Sequence, residues 1–182
     1  MNWGHIICLN GVTSSGKTSI AKEIQNLSEE NYYHVSLDMF EQMADLKYRI
    51  QAYYFELNDC VTVMYKTISS FAKLGKNVIL DTVMLNIPEF PNIYERFIET
   101  CEGIKIFNIH VVCSIDECGK RTVARGDRRL GLSEWHNERM ADIPYFFTVD
   151  TINKTSTECA GEILEQIEFY YNREVTVNVN ET

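Results

Sequence analysis

Apolar positions recur along this chain with two alternating periods. Ile6-Ile7-Cys8-Leu9 and Val78-Ile79-Leu80 are short continuous apolar runs, the pattern of strands covered on both faces. Tyr33 to Leu37, Ile104 to Cys113 and Phe146 to Val149 are further β-prone stretches. Between these runs the period changes. Ile20, Ile24 and Leu27 repeat at helical spacing, with Lys22, Glu23, Gln25 and Asn26 opposite them. Val61, Met64, Tyr65, Ile68, Phe71 and Ala72 do the same from Asp59, and Gly75 stands where a helix C-terminal glycine belongs. Tyr94, Phe97, Ile98 and Cys101 mark another helical face, stopped by Gly103.

Two Ser/Thr-x-x-Glu spacings, Ser114 to Glu117 and Thr155 to Glu158, predict capped helix starts. Ser133 is positioned to cap a short helix that Pro144 would end, and Met39 to Asn58 shows no clean period. The tail from Val175 reads as a frayed edge strand or a disordered end. Five strands alternating with helices predict a three-layer α/β domain with a mainly parallel sheet over residues 1–174, followed by a tail at 175–182.

The first apolar run feeds directly into Gly11-Val12-Thr13-Ser14-Ser15-Gly16-Lys17-Thr18-Ser19. This is the phosphate-binding loop pattern. Its glycines let the backbone curl so that successive N–H groups point inward around an anion. Lys17 supplies charge for the outer phosphates, Thr18 a hydroxyl for magnesium, and the helix that follows its positive dipole end. In an open parallel sheet, ligands bind beyond the C-terminal strand ends. Asp38 and Asp81 both fall at such ends. Asp81 is thus a candidate magnesium ligand beside Thr18, and Asp38 is either the base that takes a proton from an attacking hydroxyl or a helix-capping aspartate.

Arg121, Arg125, Arg128 and Arg129 flank Gly126 and Gly131 and form the densest positive patch. That composition suits a lid closing over a transferring phosphoryl group. The aromatic cluster Tyr53-Tyr54-Phe55 is expected to serve packing.

Composition narrows the partners. A net charge of -9 argues against an extended nucleic-acid or anionic-membrane surface, while leaving room for a local nucleotide pocket. The six cysteines include no Cys-x-x-Cys pair, and the four histidines have no metal-ligand spacing, so zinc is not expected. Cysteines inside apolar runs fit a reducing cytoplasm. No apolar stretch reaches membrane-spanning length.

Several segments together resemble one family. NGVTSSGKTS at Asn10 to Ser19, VSLDMFEQM at Val35 to Met43, VILDTVML at Val78 to Leu85, ARGDR at Ala124 to Arg128, and VDT with ECAGEI at Val149 to Ile163 are similar to the chloramphenicol phosphotransferases and their relatives. The resemblance implies a small P-loop kinase fold that moves the γ-phosphate of ATP to a small-molecule hydroxyl. It also implies Asp38 as general base, Asp81 near magnesium, and Arg125 and Arg128 in the lid. The chain departs from the pattern at Asp81-Thr82, where relatives often carry paired aspartates, and at Ala44 to Asp59 and Ser133 to Ile143, where acceptor identity would be written.

The expectation is therefore an ATP- and Mg2+-dependent O-phosphotransferase with a small hydroxylated acceptor, chloramphenicol being one candidate. The alternatives are a kinase of a nucleoside, nucleotide-sugar or other metabolite, and a nucleotide-dependent switch.

Overall fold

The computed structural model describes residues 3–43, 45, 47, 53–126 and 129–180, with backbone alone at 53–56 and 174–180. In chain order the elements are β1 (His5–Asn10), α1 (Lys17–Leu27), β2 (Tyr32–Ser36), α2 (Leu37–Glu41), α3 (Tyr53–Lys73) and β3 (Asn77–Thr82). There follow α4 (Ile93–Thr100), β4 (Lys105–Val112), α5 (Ile115–Arg125), α6 (Leu132–Asn137), β5 (Phe147–Asp150) and α7 (Ser156–Asn180). The strands form one sheet in the order β2-β3-β1-β4-β5, and every neighbouring pair is parallel.

Strand alternation explains both layers of core. Ile6, Cys8, Val78 and Leu80 face one side and pack with Met64, Tyr65 and Ile68 of α3 and Phe97 of α4. Their neighbours Ile7, Leu9 and Ile79, with Phe107 and Ile109, face the other side and meet Ile20 and Ile24 of α1 and Cys159, Ile163 and Ile167 of α7. Because successive side chains point to opposite faces, a continuous apolar run fills two cores at once. This is why β1 and β3 lack the polar alternation of a half-exposed strand.

Both predicted helix starts are capped by the expected hydroxyl, and at Thr155 the reciprocal bond of a full capping box also forms. Ser114 Oγ accepts from the Glu117 N–H at 3.2 Å. Thr155 Oγ1 accepts from the Glu158 N–H at 3.2 Å, and Glu158 Oε2 accepts from the Thr155 N–H at 2.8 Å. Each satisfies a helix-end donor that has no intrahelical partner.

Other expectations shift. Strand β2 stops at Ser36, whose hydroxyl caps α2, so Asp38 lies in the first turn of a helix rather than at a strand end. Asp81 is the penultimate residue of β3, not its last. Helix α3 starts at Tyr53, earlier than Asp59: the sequence from Met39 to Asn58 shows no clean period, although Leu57 already joins the core face continued by Val61 and Met64. The side chains of Tyr53, Tyr54 and Phe55 lie outside the described residues. Ser133 sits inside α6, which Gly131 caps and which ends at Asn137, well before Pro144. Ser133 is buried and its hydroxyl is turned to Glu134.

Residues 175–180 continue α7 instead of forming an edge strand. Propagating an existing helix adds one hydrogen bond per residue fixed, and a β-branched residue opposes it by only a few tenths of a kcal/mol. No helix among the described residues is long and apolar enough to cross a membrane.

His5 opens β1 in a buried aromatic setting, with Nε2 2.8 Å from the Tyr32 hydroxyl. Burial lowers its pKa from 6.5 to about 4. The unfolded chain therefore takes up a proton near pH 6.5 while the folded protein stays neutral, so His5 stabilises the fold above pH 6.5 and that contribution is lost as pH falls towards 4. Urea unfolding at a series of pH values is expected to show this decline across that window. The His5→Gln variant should flatten it, and an unchanged pH dependence in the variant would contradict the assignment.

Candidate active site

The loop leaving β1 is seated by close backbone approach. A Cβ on Gly11 would lie 2.3 Å from the Val111 carbonyl oxygen of β4, so no larger residue fits there. Gly16 takes φ 106 and caps α1, a conformation that only glycine adopts without strain. Three neighbouring segments hold the rest of the loop. The Thr13 N–H donates to His136 Nδ1 of α6 at 3.2 Å, Ser14 Oγ and Thr122 Oγ1 of α5 are 2.9 Å apart, and Thr151 Oγ1 donates to the Ser15 carbonyl at 2.8 Å.

Within this cradle the Lys17 side chain is buried and Nζ donates to the Val12 carbonyl at 2.8 Å. Ser15 Oγ is buried with no hydrogen-bond partner in the protein. The buried Lys17 ammonium, in a loop of curled backbone that ends at a helix N-terminus, is chemistry that fits a phosphate.

Asp81 reaches the loop from β3. Thr18 Oγ1 donates to Asp81 Oδ2 at 2.6 Å, and His34 Nε2 of β2 lies 3.6 Å from the same oxygen, beyond ordinary hydrogen-bond length. Burial alone would raise the Asp81 pKa. The neighbouring His34, the charge on Lys17 and the Thr18 hydroxyl outweigh that effect and hold the carboxyl below its ordinary value. A buried carboxylate kept ionised beside an exposed threonine hydroxyl is an oxygen pair suited to a hard divalent cation.

These groups open onto one cleft of about 960 Å³. Thr13, Ser14, Gly16, Lys17, Thr18 and Ser19 form its loop side. Asp38, Asp81 and Arg125 also line it, so four separate segments contribute to one space. Gly11, Val12 and Ser15 shape the loop from beneath rather than lining the cleft. Arg128 falls outside the described residues.

Arg121 is firmly placed. Its Nη1 donates to Thr151 Oγ1 at 3.1 Å, Nη2 to the Thr151 carbonyl at 2.8 Å, and Nε to Glu117 at 3.2 Å.

Sequence patterns missed several of these contributors. His136 and Thr122 gave no signal, since each touches the loop across more than a hundred residues of chain. His34 stands two residues before Ser36 and so shares its face of β2, but nothing local shows that β2 lies beside β3. Thr151 stood in the VDT segment without a role; its hydroxyl joins the Ser15 carbonyl to Arg121.

Comparison with known proteins bears on this geometry. The family described as chloramphenicol phosphotransferase-like protein matches residues 4–168. The chain belongs to this family. It is a kinase-like phosphotransferase with a P-loop fold. A Mycobacterium tuberculosis protein whose proposed activity is O-phosphotransfer is 28% identical over 188 residues, covering 89% of this chain and 81% of that protein.

Among solved structures, shikimate kinase from Acinetobacter baumannii, in complex with shikimate, aligns with a TM-score of 0.66 at 15% identity. It covers 93% of this chain and 96% of its own. The Mycobacterium tuberculosis APS kinase in complex with AMPPNP and APS aligns with a TM-score of 0.64 at 13% identity, over 92% of this chain and 99% of its own. At these identities the two structures establish the shared fold.

The Thr151 network yields a direct test. Thr151→Val removes the donor to Ser15 and an acceptor of Arg121, and ATP affinity is expected to fall roughly tenfold, the worth of one or two such bonds. Calorimetric titration with ATP measures this, and wild-type affinity in the variant would show that the network does not shape the loop.

Proposed function

We propose that this protein transfers the γ-phosphate of ATP to a hydroxyl of a small molecule, with Mg2+ held between Thr18 and Asp81. The observation that carries this is the convergence of Lys17, the Thr18–Asp81 pair and Asp38 on one cleft. The loop amides and Lys17 bind the β- and γ-phosphates. Thr18 and Asp81 offer their oxygens to the metal, which when bound neutralises charge on those phosphates. Asp38, held on the first turn of α2, accepts the proton of the attacking hydroxyl. Arg125, and Arg128 from the same segment, offset negative charge on the transferring group.

Chloramphenicol is a candidate acceptor because the family is described by it. An acceptor other than chloramphenicol, such as a nucleoside or another metabolite, would use the same groups. The cleft favours transfer over a nucleotide switch, since beyond the phosphate loop it continues along an apolar wall that a switch would not need.

The test is phosphoryl transfer from γ-labelled ATP, with Mg2+, to a panel of hydroxylated compounds that includes chloramphenicol. Asp38→Asn is expected to lower turnover by at least about a hundredfold while ATP still binds, the usual scale for a general base. Lys17→Ala should weaken both binding and transfer. Full turnover in Asp38→Asn would remove it as the base, and ATP affinity indifferent to Lys17→Ala would remove the loop assignment.

A further inference from the structure

Asp81 meets its neighbours through one oxygen. Oδ2 accepts from Thr18 Oγ1 at 2.6 Å and lies 3.6 Å from His34 Nε2. Oδ1 accepts no hydrogen bond among the described residues and is not sealed from solvent, and Asp81 lines the cleft. The carboxylate is thus held on one side, which leaves its second oxygen for a cation.

His34 stands behind this carboxylate. In the parallel pairing of β2 with β3, His34 lies opposite Ile79 and Ser36 opposite Asp81, so His34 and Asp81 are diagonal neighbours on one face of the sheet. His34 Nε2 is buried and has no hydrogen-bond partner. A buried polar atom left in that state is unfavourable, and such atoms are rare enough to need a physical reason. The acceptor beside it is Asp81 Oδ2. A carboxylate only accepts, so Nε2 carries a hydrogen in the neutral ring as in the charged one, and no change of protonation is involved. At 3.6 Å the bond is not made, and a small turn of the ring or of the carboxylate makes it.

We infer that His34 is a positioning residue for the cation that accompanies ATP: its Nε2–H takes Asp81 Oδ2 and so keeps Oδ1 turned to the cleft. This rests on the reading of Thr18 and Asp81 as the metal pair. The terminal torsion of an aspartate is broad, so one hydrogen bond from Thr18 leaves the carboxylate able to swing about that bond. A second donor on the same oxygen fixes the plane and with it the direction of Oδ1. Donors that orient a metal ligand from behind are worth roughly ten- to a hundredfold in metal affinity. His34 does not line the cleft, so its effect is confined to the cation and does not extend to the nucleotide alone.

The experiment measures, by calorimetry on the full chain, the gain in ATP affinity when Mg2+ is added. His34→Gln keeps an N–H donor at about the same reach, whereas His34→Leu fills the space without one. The gain is expected to fall at least about tenfold in His34→Leu and to stay within about threefold of wild type in His34→Gln, with metal-free ATP affinity within about twofold in both. A role in packing alone predicts the reverse order, with the apolar residue the better substitute. Thermal melting checks that each variant folds, and His34→Asn, whose amide is too short to reach Asp81, replaces His34→Leu where that variant does not.

A full Mg2+ gain in His34→Leu, a gain in His34→Gln no better than in His34→Leu, or an equal loss of metal-free and Mg2+-supported ATP affinity would overturn the inference. Asp81→Asn, run alongside, separates the two levels. A gain lost in Asp81→Asn but intact in His34→Leu removes the role of His34 alone, whereas a gain intact in Asp81→Asn removes the metal pair and the role of His34 with it.

Discussion

The parallel register between β1 and β3 is the constraint from which the site is measured. It sets Leu9 opposite Asp81 and Asn10 opposite Thr82, so the carboxylate arrives just as the chain turns into the phosphate loop. Side chains alternate with a period of two, and a slip of one residue would send Asp81 into a hydrophobic core and an apolar neighbour towards Thr18. A slip of β3 would also turn every side chain of that strand to the opposite face and force both apolar cores to repack. The 2.6 Å contact between Thr18 and Asp81 is a consequence of packing far larger than itself.

The phosphate loop depends on the strand to its other side in the same manner. Gly11 passes so close to the Val111 carbonyl that β4 sets the path of the loop. Thr122, His136 and Thr151 then fix successive loop residues from α5, α6 and the end of β5. The first two belong to the arginine-bearing segment and the short helix after it. Any movement of that segment would therefore be felt at Thr13 and Ser14, which ties the arginine-bearing segment mechanically to the loop.

How much of this was legible depended on whether the signal was local. The loop, the five strands, the long helices and both capped helix starts were readable because each is written in neighbouring residues: Gly11 with Gly16, Ser114 with Glu117, Thr155 with Glu158. Asp81 was legible because an apolar strand ran into it. Asp38 was found as a cleft residue but placed on the wrong element, since the hydroxyl of Ser36 ends the strand two residues earlier and starts a helix. The continuation of α7 past Val175 was lost to β-branched composition, which local propensity reads as strand and an established helix overrides. What sequence could not supply was adjacency in space: His34 beside Asp81 and His136 beside Thr13, contacts that follow from strand order and that no single segment records.

In the proposed reaction the buried Asp81 carboxylate and the Thr18 hydroxyl act together on the metal that accompanies ATP. Calorimetric titration of ATP with and without Mg2+, in the wild-type protein and in Asp81→Asn, tests it most directly. Mg2+ is expected to tighten ATP binding to the wild-type protein, and Asp81→Asn to abolish most of this gain while affinity for metal-free ATP is retained. An Mg2+ dependence of the same size in Asp81→Asn would contradict it.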